Sequence, residues 1–205
     1  MKRLDPGKFG RLAALVLAAL LSGGCGIQNI VRNSQAGGSL AIRSQAEVDT
    51  VLKGGFKTGL YSYDDKNNLT IVLLDGSIDN PTQAVTIRLF WAPRAGRTPI
   101  DASATNATVH YIVFTGDTKQ AGVYSGAGFM FPDTEIGGSR IQAGVWDANL
   151  VLSDRSERFN DLLGQAKLEG SFSARRNDAE TLHLVRQLNI LVRERLGYPR
   201  LVMAR

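Results

Sequence analysis

The reactive side chains of this sequence are few: two histidines (His110 and His183), one cysteine, several serines and a scatter of carboxylates. A serine hydrolase needs a nucleophile, a base and donors for an oxyanion. Ser125 lies in Val-Tyr-Ser125-Gly-Ala-Gly128, which superficially resembles a nucleophile elbow. It lacks the Gly-x-Ser-x-Gly spacing, and no strand-turn-helix pattern follows. The glycines better suit a bulge or a tight strand crossing. His110 alternates with Ile112 and Phe114, which reads as a hydrogen-bonded histidine on a sheet face. Neither histidine has a second His at metal-ligand spacing. Asp64, Asp65, Asn67 and Asn68 carry oxygens suited to calcium, but off the EF-hand spacing, and hairpin turns use the same residues. Gly122, Gly126 and Gly128 lack the following helix of a nucleotide fingerprint. Pairing any of Asp75, Asp79, Asp101, Asp117, Asp133, Asp147 and Asp154 as acid and base depends on the fold. Asp147 follows Trp146 inside a strand pattern. If buried it needs a cation such as Arg88 or Arg140; the alternative is a bulge that exposes it. The aromatics Phe90, Trp91, Tyr111, Phe114, Tyr124, Phe129, Phe131 and Trp146 can form a sugar or peptide platform, with core packing as the default. No residue is assigned a catalytic, cofactor-binding or metal-binding role.

The cysteine, Cys25, stands apart. As the sole cysteine it can form no internal disulfide and no multi-thiolate zinc site. Residues 1–11 are polar and basic, Leu12 to Leu21 carry no polar side chain, and Ser22, Gly23 and Gly24 lead into Cys25. This is the layout of an export signal. The apolar run covers only about 15 Å of a roughly 30 Å hydrocarbon layer, too little for a spanning helix. Leu21-Ser-Gly-Gly-Cys25 resembles the lipobox of bacterial lipoproteins. The resemblance covers about the first 26 residues. It implies cleavage before Cys25, diacylglycerol on its sulfur, and a fatty acyl group such as palmitate on its new amino group. The family prefers Leu three positions before the cysteine; here Ser22 stands there and Leu21 lies one further back. Ordinary signal cleavage is the alternative. Gly26, where an Asp tends to retain such proteins at the inner membrane, implies the outer membrane, on its periplasmic side, in a host with two membranes.

The net charge of +5 owes much to Lys2, Arg3, Lys8 and Arg11 in the signal. The remainder is nearly balanced, which argues against a nucleic-acid partner. Arginines dominate from Arg175 onward and read as a solvated helix face.

The division expected is a signal peptide (1–24), a lipidated Cys25 with a flexible tether (25–39), and one β-rich domain (40–205). Gly37-Gly38 belongs to the tether in this reading. Ser44-Gln-Ala-Glu47 matches a capping box and predicts a short helix over 45–53. Strands are predicted over Phe56–Tyr63, Leu69–Leu74, Val85–Trp91, Val109–Phe114, Gly122–Phe131, Ile141–Leu152 and Ala166–Arg175. The near-continuous apolar character of Val109–Phe114 implies cover on both faces. A short helix is allowed over Arg155–Leu163. Asn177 or Asp178 caps an amphipathic helix to about Leu196, stopped by Gly197 and Pro199. The fold class is mainly β: an antiparallel β-sandwich or open barrel with a short N-terminal and a C-terminal helix.

These readings favour a membrane-anchored envelope lipoprotein acting as a non-enzymatic binding or assembly module, for a protein, peptidoglycan or another envelope component. The alternatives are an envelope hydrolase using scattered carboxylates or Ser125 with His110, and a carrier of a lipidic ligand in the β interior.

Overall fold

Alternating apolar side chains give nine strands: β1 (Gly37–Ser44), β2 (Val51–Phe56), β3 (Thr58–Tyr63), β4 (Leu69–Gly76), β5 (Pro81–Leu89), β6 (Ala107–Phe114), β7 (Ala121–Pro132), β8 (Arg140–Arg155) and β9 (Gln165–Arg176). Helix α1 (Asp178–Leu196) follows. The computed structural model describes residues 36–47, 49–64, 68–93, 105–116 and 119–198. The signal, Cys25 and most of the expected tether lie outside the described residues.

The strands pair in the order β2-β1-β9-β3-β4-β5-β6-β7-β8, and β9 also pairs with β8. The ladder from β3 to β9 therefore returns on itself. One edge of β9 takes β8, from Val151↔Gln165 to Arg140↔Arg175. Its other edge takes β1, then closes in parallel on β3 through Leu60↔Arg175 and Tyr61↔Arg176. This is one mainly β sheet.

One face of every strand feeds a single core. Leu40, Ile42, Ile71, Val85, Ile87, Tyr111, Tyr124, Met130 and Leu168 are all buried there. The opposite faces of β3 to β7 supply Leu60, Val72, Leu74, Ile112, Phe114 and Val123, covered by Leu184, Leu188, Val192 and Leu196 of α1. Strand β6 is covered on both sides, by the core and by α1, in keeping with its near-continuous apolar sequence. Helix α1 starts where its cap dictates. The Asn177 side chain accepts from the Glu180 N–H, and Gly197 ends the helix at φ 80 with its N–H bonded to Arg193 O.

Four expectations need correction. No helix forms across 45–53: Val51–Phe56 is strand β2, paired from Arg43↔Val51 to Gly38↔Phe56. Ser44 Oγ accepts from Ala46 N at 3.1 Å and donates to Leu163 O at 2.8 Å, so the apparent cap is a turn tied to a distant loop. Strand pairing prevails because it seats Phe56 edge-on to Tyr111, with ring centroids 6.4 Å apart. Next, Gly37-Gly38 opens β1 rather than ending a tether. A Cβ on Gly38 would lie 2.5 Å from Ser171 O, so glycine there permits close strand approach. Third, Val85–Trp91 stops being strand at Leu89, leaving Phe90 and Trp91 exposed. Fourth, Arg155–Leu163 forms no helix. It completes β8 and becomes a loop, in which Ser156 Oγ accepts from Ala121 N and donates to Arg195 O.

Candidate functional site

Strand β8 carries a register fault on both edges. Against β9, pairing passes from Val145↔Gly170 to Ala148↔Leu168, so Trp146 and Asp147 together face Glu169. Against β7, it shifts between Ala127 and Phe129. Two residues opposite one make a β-bulge, which re-aims side chains. Asp147 takes a left-handed φ of 49, a conformation that Asp tolerates better than most residues. Trp146 faces outward in the phase set by buried Ile141, Ala143 and Val145 and is 58% exposed; the bulge brings Asp147 outward beside it. Its indole lies back along the strand: a Cβ on Gly144 would come within 2.9 Å of Trp146 Nε1. Glycine at 144 makes room for the ring.

An open groove of about 880 Å³ runs beside the indole. Its floor includes Ser39 and Ala41 of β1, Gly144 of β8 and Ser171 of β9, from the face turned away from the core, together with Gly170 of β9. Phe129 and Phe131 of β7 form a side, and Trp91 meets Phe129 edge-on at 6.1 Å. The rim carries Lys53, Asp133, Asp147 and Glu169. Lys167 Nζ stands 3.0 Å from Asp147 Oδ1. The cation suggested for Asp147, Arg88 or Arg140, is thus neither; the partner is Lys167, and the carboxylate is exposed. Comparison with family models, curated proteins and solved structures finds no match for this chain.

His110 and Ser125 do meet. They are register partners on β6 and β7, with Nδ1 2.8 Å from Oγ. Ser125 Oγ is also 2.7 Å from Ser153 Oγ, which donates to Val123 O at 3.0 Å. Either serine can be the donor between them, and the His110 tautomer sets whether Nδ1 donates to or accepts from Ser125. When Ser153 donates to the Val123 carbonyl, Ser125 donates to Ser153 and the His110 Nδ1–H donates to Ser125. Ser125 also lies inside β7, paired with His110 on one edge and Val151 on the other. Ladder bonds there engage the backbone N–H groups that an oxyanion site would need.

The other sequence candidates are dispersed. Asp64 accepts from the backbone N–H and side-chain amide of Asn68, both at 2.8 Å, which is turn chemistry; Asp65 and Asn67 lie outside the described residues. Asp75 accepts from Thr82 Oγ1, and Asp154 from the Tyr198 hydroxyl. Asp101 and Asp117 lie outside the described residues. His183 is exposed on α1. Among the described residues, no group of three or more His, Cys, Asp and Glu is placed to hold a metal ion.

Asp161 was not singled out in the sequence. Its Oδ1 accepts from Tyr124 Oη at 2.6 Å and from Leu163 N and Gly164 N at 3.0 Å. Burial pushes its pKa up. The Tyr124 hydroxyl, the two N–H groups and the Arg155 charge outweigh burial and hold the carboxyl below its ordinary value. Burial and Asp161 together push the Tyr124 hydroxyl up. The pair anchors the loop after β8 to the core.

Of the aromatics, Tyr111, Phe114 and Tyr124 are core, Phe129 is buried at the side of the groove, and Phe90, Trp91 and Trp146 are exposed. A sequence signal for Trp146 exists. Buried Ile141, Ala143 and Val145 keep one phase, and Ala148 and Leu150 keep the other. That slip marks the bulge.

Proposed function

We propose that this chain is a membrane-anchored, non-enzymatic binding module of the bacterial cell envelope. In this reading the ladder that returns on itself is a small filled barrel, and the groove beside Trp146 is where an envelope component binds. The observation that carries the proposal is the bulge at Trp146–Asp147. It sets Asp147 on the outer face beside Trp146, whose large apolar ring stands in water over Gly144. An exposed aromatic held in one orientation loses little freedom on binding. Acylated Cys25, from the lipobox resemblance, would hold the module at the periplasmic side of the outer membrane in a host with two membranes. Tethering raises the effective concentration of a weak binder near its target.

The test is co-sedimentation with the insoluble cell-wall fraction. The unmodified protein is expected in the pellet, and Trp146→Ala in the supernatant with an unchanged urea midpoint. Equal pelleting of both removes the groove as the binding site.

The 2.8 Å contact of His110 with Ser125 favours a second reading, an envelope hydrolase. Its laddered surroundings weigh against it. A fluorophosphonate probe is expected to leave Ser125 unlabelled. Labelling that disappears in Ser125→Ala would restore the hydrolase. The carrier reading is weakened because Tyr61, Tyr111, Tyr124, Ile71, Ile87 and Met130 fill the interior.

A further inference from the structure

We propose that the groove beside Trp146 takes a basic polypeptide segment, with an arginine guanidinium stacked on the indole and facing Glu169; this deepens, and rests on, the binding-module reading. Charge, ring chemistry and backbone each narrow the occupant.

The groove crosses the sheet from Lys53 on β2 to Asp133 on β7, and its charges are unevenly spread. Ala41 pairs with Lys53 on one side and with Glu169 on the other. The lysine therefore stands two strands, about 10 Å, from Glu169 along the sheet. Asp147 and Glu169 lie at the indole end, with Asp133 beyond Phe131 on β7. Lys167 matches Asp147 at 3.0 Å. Asp133 and Glu169 form no ion pair among the described residues. Two unmatched carboxylates near an exposed indole attract a cation and repel an anion.

The kind of cation follows from the ring. A guanidinium is planar and weakly hydrated, and it can stack on an aromatic face while its N–H groups reach a carboxylate. Trp146 offers that face at 58% exposure, and Glu169 is the residue opposite it in the bulge. An ammonium is a compact, strongly hydrated charge that must shed more water to lie on a ring.

The backbone favours a polypeptide over a free amine. The groove has a volume of about 880 Å³ and continues past the indole over Ser171, Ser39 and Ala41 to β2. Strand β2 ends the strand order, and among the described residues no strand pairs with its outer edge. Ser44 N bonds to Thr50 O. Antiparallel alternation from that pair leaves the backbone groups of Val51, Lys53 and Gly55 facing away from β1. A Cβ on Gly55 would meet nothing within 4 Å, so another chain can come close there. The main-chain N–H and C=O groups of a peptide can pair with such an edge. A small cation has no groups to match it.

The experiment uses the full chain in detergent. The protein has two tryptophans, so Trp91→Phe leaves Trp146 as the sole indole reporter. The probe is an acetylated, amidated heptapeptide of glycine and serine with a central arginine. Versions with central lysine, citrulline or glutamate are titrated beside it, as are choline chloride and the tetrasaccharide of β-1,4-linked N-acetylglucosamine. The arginine peptide is expected to shift Trp146 emission saturably and to bind tightest. Citrulline keeps the shape of arginine without its charge and is expected to bind about tenfold more weakly. Glu169→Gln should weaken the arginine peptide about fivefold and reduce its sensitivity to salt. Calorimetry on Trp146→Ala should show loss of binding. Both variants should keep the unmodified urea midpoint. Equal binding of the arginine peptide and its citrulline or lysine version overturns the assignment. So does tighter binding of choline or the tetrasaccharide, which would give the groove to a small cation or a neutral glycan. Silence with all probes overturns it too; if Trp146-dependent pelleting with cell wall then persists, the binding-module reading survives, and if pelleting is also lost, both fall.

Discussion

Replacing Gly126 with alanine is expected to lower the unfolding free energy by about 3 kcal/mol, near the upper end of what over-packing costs. The new Cβ would lie 1.8 Å from Asn149 O and 2.8 Å from its carbonyl carbon. Both atoms belong to the backbone of β8, so no rotamer change relieves the clash. Strands β7 and β8 would have to separate where Gly126 pairs with Leu150, and that pairing is part of the closed ladder. A chain of this size then melts roughly 10 °C lower. Gly55→Ala is the matched control, because a Cβ there meets nothing within 4 Å. It should stay within about 0.5 kcal/mol of the unmodified protein. Urea and thermal unfolding of the two variants side by side measure the difference. Equal stability would mean that β7 and β8 do not cross this closely.

Replacing Cys25 with serine is expected to move the protein from the membrane pellet to the soluble fraction. The substitution exchanges one atom and removes the sulfur that would carry diacylglycerol. Each buried CH₂ contributes about 0.8 kcal/mol, and one chain alone gives only marginal, reversible attachment, whereas two or more hold stably. Losing the acceptor atom therefore removes the anchor outright rather than weakening it by degrees. Intact mass supplies the second reading. The unmodified product should start at residue 25 and carry acyl mass, and Cys25→Ser should carry none. Unchanged mass together with unchanged retention would end the lipoprotein proposal. The groove around Trp146 would then need a different location to act in.

Helix α1 was legible almost to the residue. Asn177, Glu180 and Gly197 act within a turn of the helix ends they define, so their effect needs no distant partner. The docking stripe was less legible. Leu182 falls on the apolar half of the wheel but is 50% exposed, while buried Thr181 sits beside Leu184, Leu188 and Val192. The contact line with β3 and its neighbours, not hydrophobicity alone, chose which residues it covers. Strands β1 and β2 were missed because each is weakly patterned and their support is remote. Leu40 and Ile42 find Gly170 and Leu168 as register partners. The local turn signal at Ser44 pointed elsewhere.

By itself, the sequence determined a β-rich chain, the approximate positions of the strands from Leu69 onward and the terminal helix, because alternation and capping are written within a few residues. It also marked Cys25 through the composition around it. Only the tertiary structure decided that β9 closes the ladder on β3, that His110 meets Ser125, and that Trp146 rather than Tyr111 or Tyr124 reaches solvent. Those outcomes depend on pairing register between segments far apart in the chain. A single extra residue in β8 reverses the face on which every later side chain lies, and that shift sets Asp147 on the outer face beside Trp146.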